Sequence, residues 1–356
     1  MSRPTALILD VDTGIDDSLA LLYAVASPDV ELVAVTCVSG NTEARQAATN
    51  TLGLLELVGR GDVEVAVGRE MPLVRPLETT PETHGPFGIG YAHLPPAPRS
   101  ISDRHGVDVL IEEARRRPRE IQLVTLGPLT NLAVALEREP GLPSLLGGLT
   151  VMGGAFGVPG NASPTTEWNV YCDPDAARIV FEAWGRAIAA DPTVARPLVM
   201  ALDVTERARL LPEHVVRLAR RAGSTPDDSI ALERGEDPMV ATRSVASDPM
   251  VRFVADALRY YMEFHARYDG FYGAFIHDPL AVAAALDRTL VTTEAWAVDV
   301  ETSGRLTTGM TVADRRRTTG QSPNADVAVT ADAGEFLERL IERVGGLAAD
   351  RASLSR

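Results

Sequence analysis

Ala6-Leu7-Ile8-Leu9-Asp10-Val11-Asp12-Thr13-Gly14-Ile15-Asp16-Asp17 is the stretch from which the fold can be read. Its first four residues form a continuous apolar run, as expected of a strand buried on both faces. Leu19, Leu22, Tyr23 and Ala26 then recur at helical spacing up to Pro28. A second buried strand follows at Glu31–Thr36, with a helix across Ala44–Val58. The alternation continues through strands at Ile121–Thr125 and Leu149–Met152, each leading into a helix, at Thr130–Glu137 and Asp175–Trp184. Repeated strand–helix units imply right-handed crossovers and a mostly parallel sheet. The expected class is α/β, with helices flanking the sheet and the active site in loops at the carboxyl ends of the strands.

Helices at Glu213–Arg220 and Met250–Arg267, strands near Trp296–Glu301 and Val327–Val329, and a closing helix at Ala333–Val344 complete the pattern. Residues 1–348 read as one domain and 349–356 as a flexible tail. The proline-rich stretch 71–100 and the polar stretch 222–249 read as lids over the active site.

The chain has 356 residues, of which 34 are basic and 49 acidic, a net charge of −15. Such a surface repels phosphate backbones, so no nucleic-acid partner is expected. All the basic residues are arginine, which excludes chemistry that needs a P-loop, Schiff-base or kinase lysine. Cys37 and Cys172 lie far apart without metal-knuckle spacing and read as reduced core residues. With no secretory pattern at the start and no long apolar run, no membrane partner is expected and a cytoplasmic location is.

Asp10, Asp12, Asp16 and Asp17 place four carboxylates within eight residues, directly after a buried strand. Helix capping needs one such group, not four. Acidic oxygens without an adjacent histidine or cysteine suit a hard cation such as Ca²⁺ or Mg²⁺. LILDVDT also resembles the start of haloacid-dehalogenase-type phosphatases, which implies Asp10 as a nucleophile, but that likeness leaves Asp16 and Asp17 unexplained.

Further along stand Val38-Ser39-Gly40-Asn41, Leu126-Gly127-Pro128-Leu129-Thr130-Asn131, Met152-Gly153-Gly154, Glu167-Trp168-Asn169 and His277-Asp278-Pro279. Joined in this order to DVDTGIDD, they make the chain resemble the inosine-uridine preferring nucleoside hydrolases from Asp10 to about Leu290. The resemblance implies a Rossmann-like α/β fold, a bound Ca²⁺ and hydrolysis of a ribonucleoside's N-glycosidic bond to base and ribose. It also implies a homodimer or homotetramer. On matching positions, Asp12, Asp17, Asp278 and the backbone carbonyl of Leu126 would hold calcium, and Asp12 would also be the general base. Asp10 would support the site. Asp16, Asn41, Asn161, Glu167 and Asn169 would grip ribose hydroxyls, His277 would assist the leaving base, and His84 would lie near it. A nucleoside-binding protein without turnover is the non-enzymatic alternative.

Several of these residues carry a second reading. His277 is either a leaving-group acid titrating near neutrality or a helix cap. Glu167 and Asn169 share a face if their segment is extended, or else cap the helix after Asp173. Trp168 reads first as core and second as a base-stacking ring. Met152 reads first as core, with a ribose-side contact second. In the aromatic run from Tyr260 to Tyr272, Tyr261 and His265 are the candidates for closing over a nucleobase.

Overall fold

The computed structural model describes residues 3–224 and 243–354, so most of the expected lid at 222–249 lies outside the described residues. The strands are β1 Thr5–Val11, β2 Val30–Cys37, β3 Glu64–Val67, β4 Ile121–Thr125, β5 Gly148–Met152, β6 Leu198–Met200, β7 Arg209–Leu210, β8 Ala274–Phe275, β9 Val291–Trp296, β10 Val298–Val300, β11 Thr311–Ala313 and β12 Ala325–Ala331. Eight of them form one sheet in the order β3-β2-β1-β4-β5-β6-β12-β9, parallel except for the β12–β9 edge pair. The α/β reading therefore holds.

The helices are α1 Ile15–Val25, α2 Ala44–Leu57, α3 Pro81–His84, α4 Gly106–Arg116, α5 Thr130–Arg138, α6 Leu142–Leu145, α7 Trp168–Cys172, α8 Pro174–Ala190, α9 Leu202–Thr205, α10 Pro212–Arg221, α11 Pro249–Tyr268, α12 His277–Leu286 and α13 Ala333–Leu354. Their starts follow local chemistry. Asp173 accepts from the Ala176 amide at the head of α8, and Asp248 accepts from the Met250 and Val251 amides at the head of α11. Proline stands in the first turn of both, where a missing N–H costs nothing.

Strand β1 explains its own apolar run. Leu7, Leu9 and Val11 enter the core on one face of the sheet with Leu19 and Leu22, while Ala6 and Ile8 enter the core on the other with Leu123 and Leu132. Its register places Asp10 opposite Thr36 of β2 and Thr125 of β4. The order reverses direction at β1–β4, and the strand ends there open the crevice in which such sheets bind ligands.

Two expectations are corrected. The strand read across Trp296–Glu301 is two strands: β9 ends the main sheet at Trp296, and Val298–Val300 pairs with Thr311–Ala313 in a separate ribbon. The tail read at 349–356 is helical as far as Leu354, because α13 continues well past Val344. Among the described residues, no helix is long and apolar enough to cross a membrane.

Candidate active site

The acidic cluster is completely enclosed. Asp10, Asp12 and Asp17 have no exposed surface, and Asp16 and Asp278 almost none. Gly14 ends the extended segment, and Asp17, in the first turn of α1, accepts back from the Gly14 amide at 2.7 Å and the Asp12 amide at 3.2 Å. Asn41, after β2, joins two carboxylates: its amide donates to Asp12 Oδ2 at 2.6 Å and its side chain to Asp17 Oδ2 at 3.1 Å. Asp12 sits in a slot between glycines. A methyl added at Gly40 would lie 2.1 Å from Oδ2, and one at Gly127 would lie 2.9 Å from Oδ1.

Burial raises every one of these acids, and mutual repulsion adds to it. Asp10 is pushed up to about 7 and Asp16 to about 8, while Asp12, Asp17 and Asp278 also lie above the carboxylate range. Asp16, Asp17 and Asp278 each offer an oxygen within 4.8 Å of the others. Oxygens of Asp10, Asp12 and Asp16 are buried without a hydrogen-bond partner. This oxygen-rich set of carboxylates, short of donors, fits a hard cation. Asp16, expected only to grip ribose, belongs to the closest threesome, whereas Asp12 lies beside it.

Asp10 occupies a different position. Its Oδ1 accepts from Thr36 Oγ1 at 2.5 Å and Asn131 Nδ2 at 2.7 Å, so it is fastened within the sheet, and it does not line the cleft above. The support expected of Asp10 is consistent with this anchoring.

Over the cluster opens a cleft of about 500 Å³. Asp16, Asn41, His84, Leu126, Met152, Asn161, Glu167, Asn169, Tyr261, His265, His277 and Asp278 all line it, bringing together residues far apart in the chain. Glu167 and Asn169 are not on an extended segment. Glu167 is the N-cap of the short α7 and accepts from the Asn169, Val170 and Gly154 amides. Asn169 donates to the Leu126 carbonyl at 2.6 Å and the Met152 carbonyl at 3.2 Å, while Asn161 Oδ1 accepts from the Trp168 amide. Trp168, read first as core, is half-buried and lines the cleft.

Aromatic rings form one wall. The ring centroids of His84 and Tyr261 are 5.3 Å apart, those of Tyr261 and His265 4.6 Å, and those of His265 and Phe275 4.9 Å. His84 is fixed as well as buried, because its Nδ1 accepts from the Ile15 amide at the start of α1. The surrounding 71–100 stretch is fastened by Tyr260 Oη donating to the Pro81 carbonyl and Asn50 Nδ2 donating to the Phe87 carbonyl.

His277 is also enclosed, its Nδ1 2.8 Å from Thr205 Oγ1. Burial pushes both His84 and His277 down to about 3. In both rings the cause is desolvation, which disfavours the charged form.

Sequence reading missed Glu206 and Asp269, which also line this cleft. Glu206 is pushed up to about 7 by burial and by the charges of Asp269 and Asp203. Its position after the Leu202-Asp203-Val204-Thr205 segment, beyond the end of β6, was a usable signal. For Asp269 the signal was its spacing four residues after His265.

A family model described as inosine-uridine preferring nucleoside hydrolase matches residues 7–338. The chain is similar to the pyrimidine-specific ribonucleoside hydrolase RihA of Enterobacter sp. (strain 638), 35% identical over 340 residues, which cover 95% of this chain and 97% of that protein. It is similar in structure to the purine-preferring ribonucleoside hydrolase from Gardnerella vaginalis, with a TM-score of 0.83 and 31% identity over 97% of this chain and 99% of that one. A plant nucleoside hydrolase, PpNRh1, gives a TM-score of 0.83 with 30% identity over 96% and 99% of the two chains.

Proposed function

Since the chain belongs to the inosine-uridine preferring nucleoside hydrolases and acts on N-glycosyl bonds, we propose that it cleaves ribonucleosides with Ca²⁺ at the acidic cluster and Asp12 as general base. The observation that carries this reading is the state of the Asp12 carboxylate. Oδ2 is anchored by the Asn41 amide while Oδ1 is buried and unpartnered, so one oxygen is held and the other remains to accept a proton.

Asp12, Asp17, Asp278 and the Leu126 carbonyl would hold the ion, with Asp16 in reach. When bound, calcium supplies positive charge that polarises water and the ribose diol. Asp12 takes a proton from the attacking water, a role that contributes about 10²–10⁴-fold. Asp16, Asn41, Asn161, Glu167 and Asn169, with Met152 beside them, grip the ribose. Breaking the C1′–N bond develops positive charge on the sugar, and the carboxylates beneath it stabilise that charge. His84, Tyr261, His265 and His277 face the base, with His84 and His277 neutral and able to hydrogen-bond. The active assembly is a homodimer or homotetramer. The similar enzymes include one pyrimidine-specific and one purine-preferring, so the base preferred here is set by this wall rather than by the family.

The test measures reducing-sugar release from inosine, adenosine, guanosine, uridine and cytidine before and after calcium stripping. Release that is lost on stripping and regained with Ca²⁺ is expected, and Asp12→Asn should bind nucleoside without turning it over. Turnover unaffected by stripping would remove the ion, and turnover by Asp12→Asn would remove the general base.

A further inference from the structure

The hydrolase reading sets the ribose over the acidic cluster and the base against the aromatic wall, and it leaves two carboxylates at that wall without a task. Glu206 closes α9, and the residue before it, Thr205, holds His277 at 2.8 Å. Asp269 caps α11, with its Oδ2 2.7 Å from His265 Nδ1. Both carboxylates line the cleft alongside Tyr261, His265 and Phe275. They stand near enough for the charge of Asp269 to act on Glu206.

Of the acids around this wall, Glu206 is the one left short of a partner. Asp203 accepts from the Phe156 and Gly157 amides, and Asp269 is engaged by His265. Glu82, which also borders the cleft, stands out in water. Among the described residues nothing donates a hydrogen bond to the Glu206 carboxyl and no arginine pairs with it, although the residue is largely covered. Its oxygens are not sealed inside the protein, so they are open to whatever fills the cleft. Arg209, whose charge opposes those of Asp269 and Asp203, is held instead over the Phe271 and Phe275 rings, 5.0 and 5.4 Å from their centroids. A half-desolvated carboxylate facing like charges gains most from an N–H donor.

We propose that Glu206 selects the base, and that the preferred substrates carry an exocyclic amino group, as cytidine and adenosine do, where uridine and inosine carry an oxygen. This rests on the hydrolase reading and names the substrate class within it. The amino N–H donates to a Glu206 oxygen. A base carbonyl in the same place brings one acceptor against another and leaves the carboxylate unpaired. The aromatic rings offer apolar area to either kind of base, so the choice between amino and oxo falls to the polar group among them. Glu206 is a specificity residue, and no bond is made or broken at it.

Two pairs of nucleosides that differ in this one group test the assignment: cytidine against uridine, and adenosine against inosine. The assay is run with Ca²⁺ at pH 8.5, above the value of about 7 to which burial and its neighbours raise Glu206. In the pair turned over faster, the amino member should have the higher kcat/KM. In Glu206→Gln, whose side-chain amide can turn to donate or to accept, the amino member should fall and the oxo member rise. The ratio between them should drop by about 10–10²-fold. Opposite movements of two substrates do not arise from a misfolded variant. A wild-type preference for the oxo member, an unchanged ratio in Glu206→Gln, or both members falling together would overturn the proposal. If the wild-type protein releases ribose from none of the four, the hydrolase reading falls. Equilibrium dialysis of the same four nucleosides then decides the selection by itself, because the Kd ratio should shift between wild type and Glu206→Gln in the same direction, and an unshifted ratio would refute it.

Discussion

Gly40→Ala is the sharpest perturbation of the general base that leaves every polar group in place. The backbone at Gly40 is outside the left-handed region, so an added methyl acts through space alone. That methyl would meet Asp12 Oδ2 at 2.1 Å and the Pro128 ring at 2.7 Å, and real contacts essentially never fall below 3.0 Å. The carboxylate cannot simply swing away, because Oδ2 is held by the Asn41 amide at 2.6 Å and Gly127 closes the opposite side. Overpacking costs about 1–3 kcal/mol, and losing a hydrogen bond to a charged group costs about 1.5–3 kcal/mol. The calcium-loaded variant should therefore lose several kcal/mol in urea unfolding. Displacing a reacting group on this scale costs kcat about 10²-fold. Gly334→Ala, whose methyl would meet nothing closer than 3.6 Å, serves as the control. A Gly40→Ala protein with wild-type stability and kcat would show that the slot does not position Asp12, and the general-base assignment would lose its geometric support.

Two further outcomes follow from the same carboxylates and their neighbours. Asp10 at about 7 and Asp16 at about 8 favour the fold when protonated, a contribution complete below the ordinary value of 3.8 and lost as pH rises through 7 and 8. His84 and His277, held down at about 3, act in the opposite direction, but their contribution is already complete above 6.5. Thermal unfolding in EDTA should therefore show Tm falling from pH 6.5 to 8.5, with Ca²⁺ restoring more at the upper end; a flat or rising Tm in EDTA would contradict this. Asn169→Leu should cost about 1–3 kcal/mol in urea unfolding, because the Leu126 and Met152 carbonyls lose a buried donor, and it should raise KM for nucleoside; unchanged values would separate Asn169 from the site.

What was legible in the sequence depended on how local its cause is. The β1 run could be read because burial on both faces removes any need for polar alternation, and both faces of the strand do enter a core. The acidic cluster could be read because four acids exceed what a helix start can use. The Trp296–Glu301 stretch misled because an apolar run carries no mark of which sheet it will join. Glu167 and Asn169 misled because a helix of five residues is too short to show a period. Asp269 and Glu206 were missed because each matters through a neighbour brought close by tertiary packing. Gly40 and Gly127 could be read as turn residues, but their reason for being glycine is the carboxylate of Asp12, which no local pattern reveals.

The hydrogen bonds of the cluster also separate architecture from chemistry. Burying five aspartates side by side is expensive, and the fold offsets part of that cost with its own donors: the Asn41 and Gly14 amides, the Asn131 amide group and the Thr36 hydroxyl. Those donors are not spread evenly. Both oxygens of Asp17 are satisfied, while Asp10, Asp12 and Asp16 each keep one that is not. A purely structural cluster would gain by satisfying all of them, since each orphaned oxygen costs about 1–3 kcal/mol or more when charged. Asp17 therefore braces the loop as well as facing Asp16 and Asp278, and Asp12 and Asp16 keep oxygens for a cation, a water molecule or a sugar hydroxyl to complete. Adding one donor to Asp12 Oδ1 would stabilise the empty protein and disable it, because the oxygen that is costly to bury is the one the reaction uses.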